Sequence, residues 1–253
     1  MRKPSTPARM AGLLLLLAAC PVPAQETPRA IIERAIVAHG GAERLSRLHA
    51  DKLHLQGRIV LPFKDGPHEV PFTTDQTQQL PGQFKSVARM NTDKPYTLVQ
   101  IVSGDKAYVT IDGQPLTPTP VAAARMRETL RLARMSHLVP LLSDRTYELV
   151  ALGEAKVNDR TADGVKVTAR GRKDIRLYFD RETGLLTKTE HFLDDGAGKE
   201  VLQEEFYGDF KDFGGFRRWT KLAAFLDGKK VMEAEVLDVK YFDKLDDAEF
   251  AKP

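Results

Sequence analysis

Residues 52–61 read Lys-Leu-His-Leu-Gln-Gly-Arg-Ile-Val-Leu, and over this stretch the period of the chain is two. Leu53, Leu55, Gly57, Ile59 and Leu61 alternate with Lys52, His54, Gln56, Arg58 and Val60. Successive side chains of an extended strand point to opposite faces, so the alternation predicts a strand covered on one face and wet on the other. Half-wet strands belong to antiparallel sheets, because parallel sheets are buried on both faces. The same pattern returns in Val165-Val167-Ala169, Ile175-Leu177-Phe179 and Met232-Ala234-Val236. Tyr96 to Val102 and Ala107 to Ile111 flank Ser103-Gly104-Asp105-Lys106, which reads as a hairpin. Turns are expected at Asp163-Gly164, Thr183-Gly184, Asp195-Gly196, Gly214-Gly215 and Asp227-Gly228. Short turns between alternating strands predict a meander rather than βαβ units.

Upstream of this sheet the spacing is helical. Thr27 is placed to cap a helix with Pro28 at its first position, and Ile31, Ile32, Ala35, Ile36 and His39 then share a face until Gly40-Gly41 stops it. His39 and His137 read as helix C-terminal residues favoured by the helix dipole. A second short helix, Ala42 to Leu48, presents Leu45 and Leu48. After Pro115, Pro118 and Pro120, a third is expected from Val121 to Leu138. No stretch is long or biased enough to be a linker, and no solenoid-period repeat is present. Residues 25–253 are therefore expected to form one α+β domain. An antiparallel sheet of eight or more strands has to curl or be covered. Curled part-way around the helices, it becomes an incomplete β-barrel with helices on its concave face and an apolar hollow, a common setting for a hydrophobic ligand.

Composition narrows the function classes. With 42% hydrophobic and 29% charged residues and 12 Phe, the chain has the means to build a core and is not wholly disordered. Its formal charge of +3 comes from 38 Lys and Arg against 35 Asp and Glu. Arg2, Lys3 and Arg9 lie in residues 1–24, which contain no acid, so the remainder carries 35 of each sign and lacks the basic surplus of a nucleic-acid binder. Those three cations precede an unbroken apolar stretch from Met10 to Ala19, too short for a permanent anchor, and residues 1–24 read as a secretory signal. A buried N-terminal helix is the other reading. Two processing sites compete. Leu17-Ala18-Ala19-Cys20 has the form of a lipobox, whose cysteine would be lipidated, and Val22-Pro23-Ala24 before Gln25 has the form of ordinary small-residue cleavage. On either route the protein is exported to the periplasm, anchored as a lipoprotein if Cys20 is modified. A body without cysteine suits an oxidising compartment.

Catalytic signals are sparse. His39, His49, His54, His68, His137 and His191 show no pairing at the three- or four-residue spacing of a helical metal site. There is no Gly-x-Ser-x-Gly elbow, no GxGxxG and no P-loop. The single cysteine lies in the targeting segment, and Asp194-Asp195, Glu204-Glu205 and Asp246-Asp247 read as turns or solvated faces. The reading is a non-enzymatic protein without metal or cofactor. One segment stands out. On the third helix Arg127, Arg131 and Arg134 form a stripe at spacings of four and three, with Ala122, Met126, Leu130 and Ala133 on one flank and Leu132, Met135 and Val139 on the other. Laid over a hollow, Met126, Leu130 and Ala133 would line it while the guanidinium groups met an anionic headgroup. A core-packed helix with one solvated arginine face fits the same spacing. Leu138-Val139-Pro140-Leu141-Leu142 extends the apolar surface, either as a mobile flap or as plain core.

Four pieces together resemble the LolA/LolB-like group of exported bacterial proteins, the outer-membrane lipoprotein-sorting family. They are the helix end Ala38-His39-Gly40-Gly41, the hairpin from Val102 to Val109, the segment Leu177-Tyr178-Phe179-Asp180-Arg181-Glu182-Thr183-Gly184-Leu185-Leu186, and the ending Leu245-Asp246-Asp247-Ala248-Glu249-Phe250. The resemblance implies an incomplete antiparallel barrel with helices in its concave side that holds lipid or lipoprotein acyl chains. Its relatives include carriers, receptors and sensors, and it carries no functional residue over to this chain. A carrier predicts an apolar cavity. An envelope sensor or scaffold binding another protein predicts a barrel filled by its own side chains, and an enzyme requires titratable groups converging in a pocket.

Overall fold

The computed structural model describes residues 26–252. The expected signal, Cys20 and the alternative cleavage before Gln25 lie outside the described residues. The strand predicted from the alternation at 52–61 is β1 (Ala50–Phe63), and it pairs along its length with β2 (Gly66–Gln79). The meander continues through β3 (Gln83–Met90), β4 (Tyr96–Ser103), β5 (Lys106–Ile111) and β6 (Gln114–Leu116). A second meander runs through β7 (Tyr147–Val157), β8 (Arg160–Ala169), β9 (Ile175–Asp180), β10 (Leu186–Asp194) and β11 (Glu200–Gly208). Two short strands, β12 (Lys211–Asp212) and β13 (Arg217–Arg218), form a side hairpin before β14 (Lys221–Leu226) and β15 (Lys229–Phe242). β15 returns to pair with β1, giving one antiparallel sheet of thirteen strands in the order β6-β5-β4-β3-β2-β1-β15-β14-β11-β10-β9-β8-β7. Its two edges do not meet, so the architecture is the expected α+β open half-barrel.

The helices begin by one device. Thr27 and Thr119 each accept a hydrogen bond from the backbone three residues on, at 3.2 Å, and a proline follows each in the first helical turn. They cap α1 (Pro28–Ala38) and α3 (Pro120–Ser136). α2 (Ala42–Arg47) and α4 (Val139–Ser143) are short. Ile32, Ala35, Met135, Leu138 and Leu141 from the helices pack on Val165, Val167, Ile175, Leu177 and Phe179, so the helices plug the concave side of the second meander. Leu138 and Leu141 belong to this core, which favours the second of the two readings of residues 138–142. On the convex side the closing segment, a 3-10 turn at Asp247–Phe250, sets Leu245 and Phe250 against Ala50 and Ile101.

The segment Leu177–Leu186 joins sheet to helix. Phe179 is fully buried in the core. Asp180 beside it accepts from the Arg160 guanidinium and from the backbone and hydroxyl of Thr183, and these bonds hold its carboxyl well below the usual carboxylate range. Gly184, at φ +73°, lies where a Cβ would stand 3.0 Å from the Ala38 methyl. The turn therefore packs directly on α1.

The turn expected at Asp163-Gly164 is instead the middle of β8. The reversal lies at Asn158-Asp159, both with positive φ, a two-residue hairpin turn. Gly164 is small because Leu152 and the Tyr178 ring stand 3.0 and 3.1 Å from where its Cβ would be. Asp163 is buried, with an ion pair to Arg34 of α1 at 2.7 Å and hydrogen bonds from Arg181. Burial of the acid and crowding at the glycine, not a change of direction, account for this dipeptide.

At Gly57 a Cβ would stand 2.1 Å from the Glu233 carbonyl oxygen and 3.0 Å from the Phe72 ring. Phe72 is the register partner of Gly57 and occupies the space a side chain would need. Gly57→Ala is expected to cost about 2–3 kcal/mol through overpacking in mid-strand, whereas Gly82→Ala, with open space around it, should stay within about 0.5 kcal/mol. Urea unfolding of residues 25–253 checks both, and equal midpoints would mean that β1 and β15 separate freely at this point.

Candidate functional site

The strand registers set up one row of side chains on the concave face. Tyr96 faces Met90, Met90 faces Phe72, Phe72 faces Gly57, Gly57 faces Ala234, Ala234 faces Leu222, and Leu222 faces Tyr207. The row crosses seven neighbouring strands, and all seven residues line a cavity of about 1100 Å³. Large side chains stand at both ends; at the centre the Phe72 ring lies over Gly57, and the side chain of its other neighbour, Ala234, is a single methyl. Arg58, Arg89, Lys221, Glu233 and Glu235 lie around this cavity and are exposed, so its surroundings are polar while its floor is apolar.

Phe72, Tyr207, Leu222 and Ala234 also line a second, more enclosed cavity of about 440 Å³. The two are neighbours that share these residues as walls, the larger an open mouth and the smaller an inner chamber. The chamber lies beneath α3, which touches β4 and β5 on one side and β10 on the other. This helix bridges the two arms of the half-barrel like a strap.

The residues singled out on α3 fall into separate places. Ala133 lines the inner chamber together with Leu132, Ser136 and His137. Met126 and Leu130 are buried against Phe84, Val102 and Val109 and line neither cavity, because the helix turns that flank down onto β3, β4 and β5. The arginine stripe does not converge on one point. Arg127 donates to the Asp105 carbonyl at 3.3 Å, Arg131 pairs with Glu128 at 2.7 Å and donates to the Lys173 carbonyl at 3.0 Å, and Arg134 pairs with Asp144 at 2.8 Å. Each guanidinium ties the strap to a different turn or helix end.

Polar groups adjoin the inner chamber, whose lining includes Arg218, His137 and His191. Asp51 continues the concave face of β1 and accepts from Gln78 at 2.8 Å and from Arg218 at 2.9 Å. Arg218 lies over the Trp219 ring, 5.7 Å from its centroid. Burial pushes the imidazole of His137 down to about 4, with Arg218 working in the same direction and Asp51 against it. Burial also takes His191 to about 4, with the cations Arg131 and Lys173 nearby. His39 does cap α1, but as a buried neutral ring and not as the dipole-favoured cation expected from the sequence. Its Nδ1 lies 2.9 Å from the Ala35 carbonyl, and burial lowers its pKa. Among the described residues no group of three or more His, Cys, Asp and Glu is placed to hold a metal, and no helix is long and apolar enough to cross a membrane.

Sequence reasoning missed most of the hollow. Leu222 and Tyr207 lie on strands whose two faces are nearly equal in polarity, so alternation alone does not say which face is inside. Only the partner register reveals the row.

No family model matches the chain, and no curated protein matches it in sequence. Solved structures do match. A LolA superfamily protein from Nitrosomonas europaea superposes with a TM-score of 0.55 at 13% identity, covering 90% of this chain and 98% of the other. The fold is LolA-like. A structure described as an outer membrane lipoprotein-sorting protein domain, from Vibrio parahaemolyticus, gives 0.51 at 12% identity over 88% of this chain and 97% of the other. A DUF1329 family protein from Desulfovibrio piger gives 0.53 at 10% identity over 89% and 98%. At these identities the likeness is one of architecture. The LolA-like half-barrel expected from the four sequence pieces is the one observed.

The depressed imidazoles set a pH dependence. Between the ordinary histidine value of 6.5 and about 4, the unfolded chain binds a proton at residue 191 that the folded chain does not, so falling pH favours unfolding across that window. His191→Gln removes this linkage. Between pH 6.5 and 4.5 the wild type should lose about 1–2 kcal/mol more unfolding free energy than the variant, measured by urea titration. Equal losses would place a charged imidazole in the folded state.

Proposed function

We propose that this chain is an exported, non-enzymatic binding or carrier protein of the bacterial cell envelope whose hollow takes an acyl chain of a lipid or lipoprotein. The observation that carries this reading is the row from Tyr96 to Tyr207, an apolar floor under an open mouth that shares walls with a second chamber beneath α3. Ligand pockets of about 300–1000 Å³ are usual, and the mouth alone reaches that scale. A sensor whose barrel is packed by its own side chains would lack such space. In this reading Ala133 contacts cargo in the inner chamber, while Met126 and Leu130 seat the strap on the first meander. Arg127, Arg131 and Arg134 hold it in place. The bacterial structures with the same architecture, one of them described as a lipoprotein-sorting domain, are consistent with an envelope role.

Residues 1–24 supply the export signal, and modification at Cys20 would tether the protein to a membrane surface. The intact mass of the mature protein from an expressing bacterium separates the routes. A diacylglyceryl adduct on a chain starting at Cys20 means a lipoprotein, and an unmodified chain starting at Gln25 means ordinary cleavage.

Native mass spectrometry of residues 25–253, secreted and purified without detergent, tests carriage itself. Adducts of acyl-chain mass that disappear after solvent extraction are expected. Ala234→Phe, which puts a ring into the middle of the row, should reduce them by about ten-fold while leaving the fold intact. A clean mass that stays unchanged after incubation with phospholipid and with a lipidated peptide would sink the carrier reading.

A further inference from the structure

Of the Asp, Glu, Lys and Arg side chains that line the inner chamber, Glu205 is the one that is neither exposed nor ion-paired. Gln203, Glu205 and Tyr207 fall two residues apart on β11, share a face, and all line the chamber. The Glu205 carboxylate accepts from the Tyr207 hydroxyl at 2.6 Å and from Gln203 Nε2 at 2.7 Å. Among the described residues no Lys, Arg or His forms an ion pair with it. Its neighbour Glu204, on the opposite face of the same strand, is paired with Lys188 at 2.6 Å. The other charged side chains lining the chamber are occupied or exposed. Arg218 is held by Asp51, and Glu128 by Arg131. Arg125 donates to the Asp194 carbonyl at 3.1 Å from an exposed position, and Arg217 is exposed.

An unsatisfied acceptor lies on the adjacent strand, diagonal to Glu205. His191 is the register partner of Gln203 on β10, is only 3% exposed, and also lines the chamber. Its Nδ1 is buried and has no hydrogen-bond partner among the described residues. The ring is neutral at pH 7, so in the Nε2-protonated tautomer Nδ1 accepts. Glu205, the carbonyl oxygen of Gln203 and His191 Nδ1 are thus three acceptors on two adjacent strands. Of the three only His191 is buried, and a buried acceptor is costly unless a donor meets it.

We propose that Glu205, Gln203 and His191 form a polar subsite inside the hollow that takes the primary ammonium head of an amphiphile, its hydrocarbon chain lying along the Tyr96–Tyr207 row toward the mouth. An ammonium offers three N–H donors and one positive charge, matching three acceptors and one negative charge. A carboxylate head would meet Glu205 as a like charge. The subsite rests on the reading of the hollow as an acyl-chain site and gives that site a preference for one head group.

The test compares three twelve-carbon probes, dodecylammonium, dodecanol and dodecanoate, by titration against residues 25–253 at pH 7, the two ions below their micelle concentrations and the alcohol below its solubility limit. That segment carries 35 residues of each sign, so net charge does not bias the comparison. Dodecylammonium should bind at least about ten-fold more tightly than dodecanoate, with dodecanol between them. Glu205→Gln should erase the ammonium preference and leave dodecanol affinity unchanged, while Glu204→Gln on the outer face should change neither. Equal affinity for the three heads, or a preference for dodecanoate, overturns the subsite and leaves the acyl-chain reading standing. Binding of none of them overturns both. Should Glu205→Gln fail to fold, the ranking of the three heads on the wild type still decides.

Discussion

The pairing of β1 with β15 is the constraint on which the concave side depends. It joins two meanders that are otherwise built from neighbours in sequence, and it does so between residues near 50 and residues near 240. At its centre Gly57 faces Ala234, and the backbone approach there is close enough to exclude a side chain on β1. That closeness draws the two arms into one continuous floor. A register slip of one residue would turn Leu53, Leu55 and Ile59 to solvent and bring Lys52, His54 and Arg58 inside, so the hydrophobic pattern itself enforces the pairing. The bulge between His54 and Leu55, where β15 carries the extra residue Leu237, localises the irregularity and leaves Leu237 exposed.

With the floor fixed, the helices divide the concavity unequally. α1 and α4 pack into the second meander, where Val165, Val167, Ile175, Leu177 and Phe179 present an apolar surface that only hydrophobic burial can satisfy. The first meander presents a mixed face, with Thr74, Gln76 and Gln78 among its inward residues, and it takes only the strap α3. The hollow is the part of the concave face that the helices leave uncovered. Its mixed lining follows from the same cause: a surface that is never sealed by the protein tolerates polar groups that a sealed core would exclude.

Much of this was legible in the chain. The capping threonines, the stop at Gly40-Gly41, the hairpin at residues 96–111 and the alternation of β1, β9 and β15 are local signals that depend on a few neighbouring residues. The turn at Asp163-Gly164 was misread because Asp-Gly is a turn signal only when nothing distant claims the aspartate, and Arg34 and Arg181 claim it. Met126 and Leu130 met the helical spacing for a lining face. That spacing gives an angle around the helix axis and not the direction of the hollow. The hollow itself needed the register between strands far apart in sequence. Glu205 was invisible for the same reason, since Glu204-Glu205 reads as one polar pair until the strand places them on opposite faces.

A site of this design holds two requirements in tension. Filling the space beside Ala234 with a larger side chain would add apolar contact worth about 0.8 kcal/mol for each methylene buried, and the chain forgoes it. Leaving His191 Nδ1 without a donor, beside a Glu205 met by neutral donors alone, forgoes further stabilisation. In an ordinary core both omissions would be defects that substitution readily repairs, because stabilising changes are easy to find. Here they fall together, on the strands that line one chamber, and apolar space and polar acceptor are two halves of one amphiphilic shape. Unfilled volume beside an unpaired acceptor and a carboxylate without a cation is the arrangement expected where a ligand, and not the protein, completes the packing.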